Sequence, residues 1–278
     1  MGESVFKSCS KLSSVTLSNK LDTIPKNTFE LCTGLTSFTI TDNIKTIDEN
    51  AFTSSGLTTV TIPKTVETIN SKAFSNSKLE LLNYPTKEIE VNPNIFEGCQ
   101  FLTKLNITGD EVEVSHIPNY EKDKQPWHAI NYRIASITLS GKIETIGNYA
   151  FEGTTIKEID LEGVKTIGEN AFTNTGLTKV KLPTSVTTIN KEAFSNCLQL
   201  TSVEYPISIT TYSNDIFTGS DNIGTVTIHG SGEMKNYIDK EQPWYTIRDK
   251  NIQTIKINDG ITSISTNAFK GMTSVKNI

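Results

Sequence analysis

The 278-residue sequence lacks any apolar run close to the ~20 residues that cross a bilayer, and its first twenty residues lack the hydrophobic core of a signal peptide. It also lacks a strong charge imbalance, since the net charge is only -5. A negative net charge is unfavourable for a protein that binds nucleic acid, because phosphates are neutralised by positively charged side chains. We therefore predict no membrane insertion and no nucleic-acid partner. The content of 36% hydrophobic and 21% charged residues is ordinary for a folded protein.

Signatures of chemistry are scarce as well. There is no phosphate-binding loop, no G-x-G-x-x-G after a strand and no G-x-S-x-G nucleophile turn. The three histidines, His116, His128 and His229, have no cysteine or carboxylate at metal-ligand spacing, so we interpret them as solvent-exposed loop residues. The neighbouring carboxylates Asp48 and Glu49 are interpreted as a solvated edge. We predict no catalytic residue, no metal and no cofactor, and therefore no enzyme.

A repeat dominates what is present. Phenylalanine recurs mostly every 21 to 23 residues, usually after alanine or another small residue. After each phenylalanine comes L-x-x-V-x-I, with Leu, Ile and Val exchanging, and this alternation predicts a short strand with one buried face. A third apolar pair, such as Val66 and Ile69, is expected to line the opposite wall. The repeated residues are Phe6, Phe29, Phe52, Phe74, Phe96, Phe151, Phe172, Phe194, Phe217 and Phe269.

A single unit of this length cannot bury its own apolar face, whereas stacked units bury it against each other. Eleven strands are predicted, from residues 12–17 to residues 252–257, with a twelfth beginning near Val275. The spacing matches a leucine-rich repeat. The predicted fold is thus a β-rich α/β solenoid. It is a right-handed leucine-rich-repeat coil with one long parallel β-sheet, and short strands, turns or 3-10 segments on the other sides.

Two enlarged coils, residues 108–133 and 229–251, interrupt the phenylalanine series. They read "NYEKDKQPWHAI" and "NYIDKEQPWYTI", and we expect Trp127 and Trp244 to fill the core where phenylalanine is missing. Phe52 and Phe172 lie 120 residues apart, as do Phe74 and Phe194, which indicates an internal duplication. We predict one solenoid of about 12 coils over residues 1–278. Because no polar capping unit is visible at either end, we expect the array to be a fragment of a longer one.

At these residues the chain resembles the BspA-like leucine-rich-repeat family. The resemblance is carried by I-x-x-I-G-x-x-A-F at residues 143–151, by A-F-x-x-C-x-x-L at residues 193–200, and by the Pro-Trp coil before the strand at residues 252–257. It implies a non-enzymatic, adhesin-type module on a cell surface or secreted, which binds extracellular-matrix, host or neighbouring-cell proteins. The alternative is an intracellular, cytoplasmic scaffold for protein interactions, favoured by the absence of a visible signal peptide and by reducible thiols.

The four cysteines share one position in the repeat. Cys9, Cys32, Cys99 and Cys197 each follow their phenylalanine by three residues, and serine or threonine fills this position in other coils. We call it the small-residue slot. Because adjacent coils stack about 4.8 Å apart, the neighbours Cys9 and Cys32 could meet disulfide geometry, whereas Cys99 and Cys197 could not. Free buried thiols and a Cys9–Cys32 bridge both remain open, with the former favoured.

The outward positions of the predicted strands are the expected partner-binding face, because a solenoid presents them as a regular, extended surface. A competing interpretation is that they serve solubility, with Asp160, Lys181 and Glu204 forming a cross-strand ion ladder. Aromatic residues of the enlarged coils are a further candidate contact. The candidate residues are Glu158, Asp160, Lys179, Lys181, Glu204, Leu81, Lys104, Tyr120 and Tyr237.

Overall fold

The computed structural model describes residues 1–92 and 94–278, and these form two compact units. Unit 1 comprises Met1–Gly109 and Lys124–Ser140, and unit 2 comprises Asp110–Asp123 and Gly141–Ile278. In each unit, consecutive coils stack with their strands parallel and in register. The predicted β-rich solenoid is confirmed.

Unit 1 contains two four-stranded parallel sheets within its described residues. The L-x-x-V-x-I segments form β3 (Thr59–Thr61), β5 (Leu81–Pro85), β7 (Lys104–Thr108) and β9 (Ser136–Ser140). Its second sheet consists of β1 (Thr23–Ile24), β2 (Thr46–Ile47), β4 (Thr68–Ile69) and β6 (Glu90–Val91). A 3-10 helix spans His128–Arg133.

Unit 2 repeats this arrangement. Its L-x-x-V-x-I segments form β12 (Lys179–Lys181), β14 (Ser202–Pro206), β16 (Thr225–His229) and β18 (Thr254–Ile257). Its second sheet contains the Thr-Ile dipeptides, and we call it the Thr-Ile wall. This sheet consists of β8 (Ser115–His116), β10 (Ile143–Ile146), β11 (Thr166–Ile167), β13 (Thr188–Ile189) and β15 (Thr211–Tyr212). β17 (Gly232–Glu233) pairs with β19 (Ile261–Ser263), and a 3-10 helix spans Tyr245–Ile247.

The sheet is therefore divided, not one long ladder. Residues 12–17, 35–40 and 156–161, for which the alternation predicts strands, adopt none. In the last of these the Asp160 carboxylate accepts the Glu162 N–H at 3.0 Å, a local turn that competes with strand pairing. Conversely, the Thr-Ile dipeptides, expected only to line a wall, pair with threonine opposite threonine and isoleucine opposite isoleucine.

Stacked phenylalanine rings form the core between the two walls. Ring centroids of successive coils lie 5.5 Å apart between Phe6 and Phe29 and 5.1 Å apart between Phe172 and Phe194. Trp244 continues the stack by packing on Phe269, with centroids 5.5 Å apart and planes 17° apart. Trp127 is fully buried, and Trp244 is 2% exposed. The prediction that both tryptophans fill the core is confirmed.

The turn that carries each repeated phenylalanine, except that of Phe217, has a left-handed residue on either side. Around Phe172 these are Asn170 (φ 54°) and Asn174 (φ 59°). Because left-handed residues flank Phe172, backbone N–H groups of this turn point to the next coil. Phe172 N–H donates to the Ala193 carbonyl at 2.8 Å, and Asn174 N–H donates to the Ser195 carbonyl at 3.0 Å. Asparagine tolerates this conformation better than most residues, which explains its frequency beside the repeated phenylalanine.

Candidate partner-binding surfaces

The sheet of β12, β14, β16 and β18 positions the charged candidates of unit 2. Val180 and Val203 point into the core, so their neighbours point outward on what we call the unit 2 face. Lys179 lies opposite Ser202, and Lys181 lies opposite Glu204. The three charged side chains are exposed. The predicted outward orientation of these residues is confirmed.

An ion pair lies beside this face, between different residues from those of the predicted ladder. Lys179 Nζ lies 2.8 Å from the Glu158 carboxylate, and both side chains are well exposed. The hydrogen bond and charge of Glu158 raise the pKa of Lys179 above its usual value. Within residues 1–92 and 94–278, no ion pair joins Asp160, Lys181 and Glu204. The proposed three-residue ladder is wrong, because Asp160 belongs to a turn and not to a strand.

Charges of alternating sign continue along one row of the unit 2 face. Lys181, Glu204, Thr227 and Lys256 occupy equivalent positions on the four strands. Lys181, Glu204 and Lys256 are exposed, and Thr227 is partly buried. Because the backbone ladder fixes the strand spacing, the charges are held in a set order. The row is therefore a fixed electrostatic pattern.

The outward side of the sheet formed by β3, β5, β7 and β9, which we call the unit 1 face, is polar and less charged than the unit 2 face. Lys104 is exposed, and Leu81 is partly buried on the neighbouring strand. Asn106 donates to the Asn83 side-chain oxygen at 2.8 Å, and Asn83 donates to the Thr61 hydroxyl at 2.9 Å. Leu81 and Lys104 therefore flank a ladder of amide hydrogen bonds. A recess of about 350 Å³ lies beside it, lined by Phe38, Thr39, Ile40, Asp42, Thr61 and Pro63.

The two tyrosine candidates differ in accessibility. Tyr120 is partly buried, and its N–H donates to the Asn148 carbonyl at 2.9 Å. Tyr237 is only 8% exposed and packs edge-on against Tyr212 and Trp244, with both centroid distances 5.8 Å. Burial raises its pKa far above the ordinary tyrosine value. The expectation that Tyr237 presents its ring to a partner is wrong, because the enlarged coil folds that ring into the core.

A polar groove of about 470 Å³ is lined by Tyr212, the ring against which Tyr237 packs, and the sequence does not predict this groove. Lys235 stands over the Tyr212 ring, 5.2 Å from its centroid, and donates to the Thr210 carbonyl at 2.9 Å. Burial and the nearby Glu241 charge raise the pKa of Tyr212. Residues 210–214 belong to a repeated coil, whereas Lys235 and Glu241 lie in the enlarged coil, whose path no period constrains. The groove is lined by Thr210, Thr211, Tyr212, Ser213, Asn214, Lys235 and Glu241.

The small-residue slots hold hydrogen-bond donors, a requirement that spacing alone does not reveal. Thr175 donates to the Phe172 carbonyl at 2.9 Å, and the Cys197 thiol donates to the same carbonyl at 3.2 Å. Burial raises the pKa of the Cys99 and Cys197 thiols. All four cysteines are free, and three are buried as predicted. Cys9 is exposed, so its predicted burial is wrong.

The histidines occupy strands and a helix end instead of isolated loops. His116 Nδ1 lies 2.9 Å from the Thr145 hydroxyl, and the partly buried His229 has Nε2 2.9 Å from the Leu182 carbonyl oxygen. His128 begins the first 3-10 helix. In the part of the chain that is described, no group of three or more His, Cys, Asp or Glu side chains could hold a metal ion. Nor does any described helix have the length and apolarity to cross a membrane.

Comparison with known families decides which repeat this is. The sequence matches the BspA type leucine rich repeat region in six copies, over residues 1–120, 130–238 and 243–278. The chain belongs to the BspA-type leucine-rich repeat family. Its BspA-type coils thus cover nearly all of the sequence, and the unmatched residues 121–129 and 239–242 lie within the two enlarged coils. Among curated proteins, none matches this chain.

Solved leucine-rich repeat structures resemble the BspA-type array at 19% identity. The protein from Bacteroides ovatus has a TM-score of 0.44, with 100% of this chain and 63% of that one covered. A leucine rich cell surface protein from Faecalibacterium prausnitzii has a TM-score of 0.33, with 82% and 62% covered. A leucine-rich repeat protein from Eubacterium ventriosum has a TM-score of 0.37, with 100% of this chain and 75% of that one covered. This chain spans less than two thirds of the first two proteins.

Proposed function

We propose that this chain is a non-enzymatic protein-binding module of an adhesin-type protein, located on a cell surface or secreted, and that it binds extracellular-matrix, host or neighbouring-cell proteins. The observation that carries the proposal is the unit 2 face, where exposed charges of both signs stand at fixed register on a parallel sheet. Family membership supports a protein-interaction repeat.

Fixed backbone geometry favours recognition of a protein surface. The backbone of a hydrogen-bonded sheet is already ordered, so that only the side chains lose conformational freedom when a partner binds, and the order of their charges selects a partner of complementary charge. A folded protein can present such a complementary pattern over several strands. The row Lys181, Glu204 and Lys256 would therefore meet a partner row of opposite signs.

The size of the face limits the affinity it supports alone. Four strands about 4.8 Å apart and about three residues long present roughly 200 Å². A stable interface buries about 800 Å² on each partner. A partner of the unit 2 face must therefore also contact flanking segments of unit 2. The polar groove that Tyr212, Lys235 and Glu241 help to line is one candidate for such a contact.

Saturable binding to defined proteins tests this function. The immobilised chain is exposed to a panel of purified extracellular-matrix proteins at low and at physiological ionic strength. We expect at least one protein to bind saturably and more weakly as salt rises, because exposed charges at the contact are screened. Absence of saturable binding to every panel member at low salt would contradict the matrix-binding function.

A further inference from the structure

The small-residue slots of two adjacent coils in unit 1 both hold a cysteine. Cys9 and Cys32 occupy this position in consecutive coils, three residues after Phe6 and Phe29. The other two cysteines have a hydroxyl in the preceding slot, Ser77 before Cys99 and Thr175 before Cys197. These two coil pairs show how far apart the side chains of two adjacent small-residue slots lie.

In both of these coil pairs, the side chains of the two adjacent slots are in direct contact. Ser77 Oγ lies 3.3 Å from Cys99 Sγ, and Thr175 Oγ1 lies 3.2 Å from Cys197 Sγ. Each of these thiols also donates to the phenylalanine carbonyl of the preceding coil, at 3.1 Å to Phe74 and 3.2 Å to Phe172. Two thiols in the same arrangement would need only side-chain rotation to reach bonding distance.

The first two coils share the backbone stacking of these coil pairs and the contact of the second thiol with a phenylalanine carbonyl. Cys32 Sγ donates to the Phe6 carbonyl at 3.0 Å. The rings of Phe6 and Phe29 stack with centroids 5.5 Å apart, as do those of Phe74 and Phe96. The backbone bonds also correspond, since Phe6 donates to the Thr28 carbonyl at 3.0 Å and Phe74 donates to the Ile95 carbonyl at 2.9 Å.

Accessibility distinguishes the two thiols. Cys9 is exposed and can meet a dissolved reagent, whereas Cys32 is buried. A low-molecular-weight disulfide would first react with the Cys9 thiolate, forming a mixed disulfide and releasing one thiol. The Cys32 thiolate would then attack the Cys9 sulfur and displace the second thiol. The protein loses two hydrogens, and the reagent is reduced to two thiols.

We propose that Cys9 and Cys32 are a disulfide-forming pair, a covalent modification site that links the first two coils when a disulfide oxidant is present. The geometry that carries this inference does not depend on the partner-binding function. A bond here would close a short loop around one coil and hold that coil on the stack, since cross-links stabilise by restricting the unfolded chain.

The test uses the whole folded chain in equimolar oxidised and reduced glutathione, followed by denaturing alkylation, trypsin digestion and mass spectrometry. We expect two of the four cysteines to resist alkylation, and residues 8–11 to appear joined to residues 27–45 with the mass of two hydrogens lost. Cys99→Ser should leave this product intact. Cys9→Ser and Cys32→Ser should abolish it, and serine fits a slot that serine already fills at Ser77 and Ser220.

Three outcomes would overturn the proposal. One is a chain with all four cysteines alkylated, another is glutathione retained on Cys9, and the third is a dimer linked between Cys9 residues of two chains. The same reaction in concentrated urea should scatter the linkages among the four cysteines. Equal scatter in the folded protein would show that the coil geometry does not select this pair.

Discussion

Replacing Phe172 by alanine should remove the central contact of the unit 2 core. Phe172 is fully buried between Phe151 and Phe194, with ring centroids 5.6 Å and 5.1 Å away. Replacing a buried phenylalanine by alanine lowers the free energy of unfolding by about 3–5 kcal/mol, and the loss is greatest where the cavity cannot collapse. Here both ring faces are occupied, and the coil spacing is fixed by backbone bonds such as Phe172 N–H to the Ala193 carbonyl at 2.8 Å. We therefore expect a loss of about 4–5 kcal/mol.

Urea unfolding followed by circular dichroism measures this loss. Phe101→Ala is the matched control, because Phe101 is 59% exposed and its removal should change stability by less than about 0.5 kcal/mol. A change below about 1 kcal/mol for Phe172→Ala, or equal effects of the two substitutions, would refute the stacked-ring core.

Three further substitutions probe local features. The Tyr205 hydroxyl is buried and has no hydrogen-bond partner among the described residues, so Tyr205→Phe should raise unfolding free energy by about 1 kcal/mol, and a loss of that size would contradict this. Leu31 is 42% exposed at φ 61°, so Leu31→Asn should raise the melting temperature by relieving backbone strain, and a lower value would contradict the left-handed assignment. Burial raises the pKa of Tyr237 above its unfolded value, so its stabilisation is present below about pH 10 and is lost as pH rises further. Tyr237→Phe should make the alkaline loss of stability in urea titrations less steep, and an unchanged slope would count against that origin.

The core was predictable because its signal is periodic. Phenylalanines about 22 residues apart must meet when coils of that length stack, and Trp127 and Trp244 were recognised because each occurs where one phenylalanine is missing. The small-residue slot follows from the same logic. Its need for a donor to the phenylalanine carbonyl, seen at Thr175, does not follow, because size and hydrogen bonding coincide in Ser, Thr and Cys.

Features that depend on neighbouring coils were less predictable. Residues 156–161 have strand alternation, yet the turn at Asp160 competes with pairing. The Thr-Ile dipeptides are too short for an alternation signal and pair only because the stack aligns them. Tyr237 belongs to a non-repetitive segment, whose path no period constrains, so its burial against Trp244 was missed along with the adjoining groove.

The binding face itself can be tested by two charge-reversal variants of equal charge. Lys179→Glu with Lys181→Glu alters the unit 2 face, and Lys165→Glu with Lys191→Glu alters exposed lysines flanking strands of the Thr-Ile wall. Each pair changes the net charge by the same four units and breaks a close ion pair, Lys179 with Glu158 or Lys165 with Glu144, and the wall variant also breaks the 3.5 Å contact of Lys191 with Glu192. Long-range electrostatic effects are thereby matched.

The most direct measurement is the dissociation constant of a matrix protein from the binding panel for the wild-type chain and these two variants. Circular dichroism melts should first show that both variants remain folded, since exposed ion pairs contribute little. We predict about tenfold weaker binding, or more, for the face variant and less than about a twofold change for the wall variant. Equal weakening of both variants, or loss confined to the wall variant, would contradict partner binding through the unit 2 face.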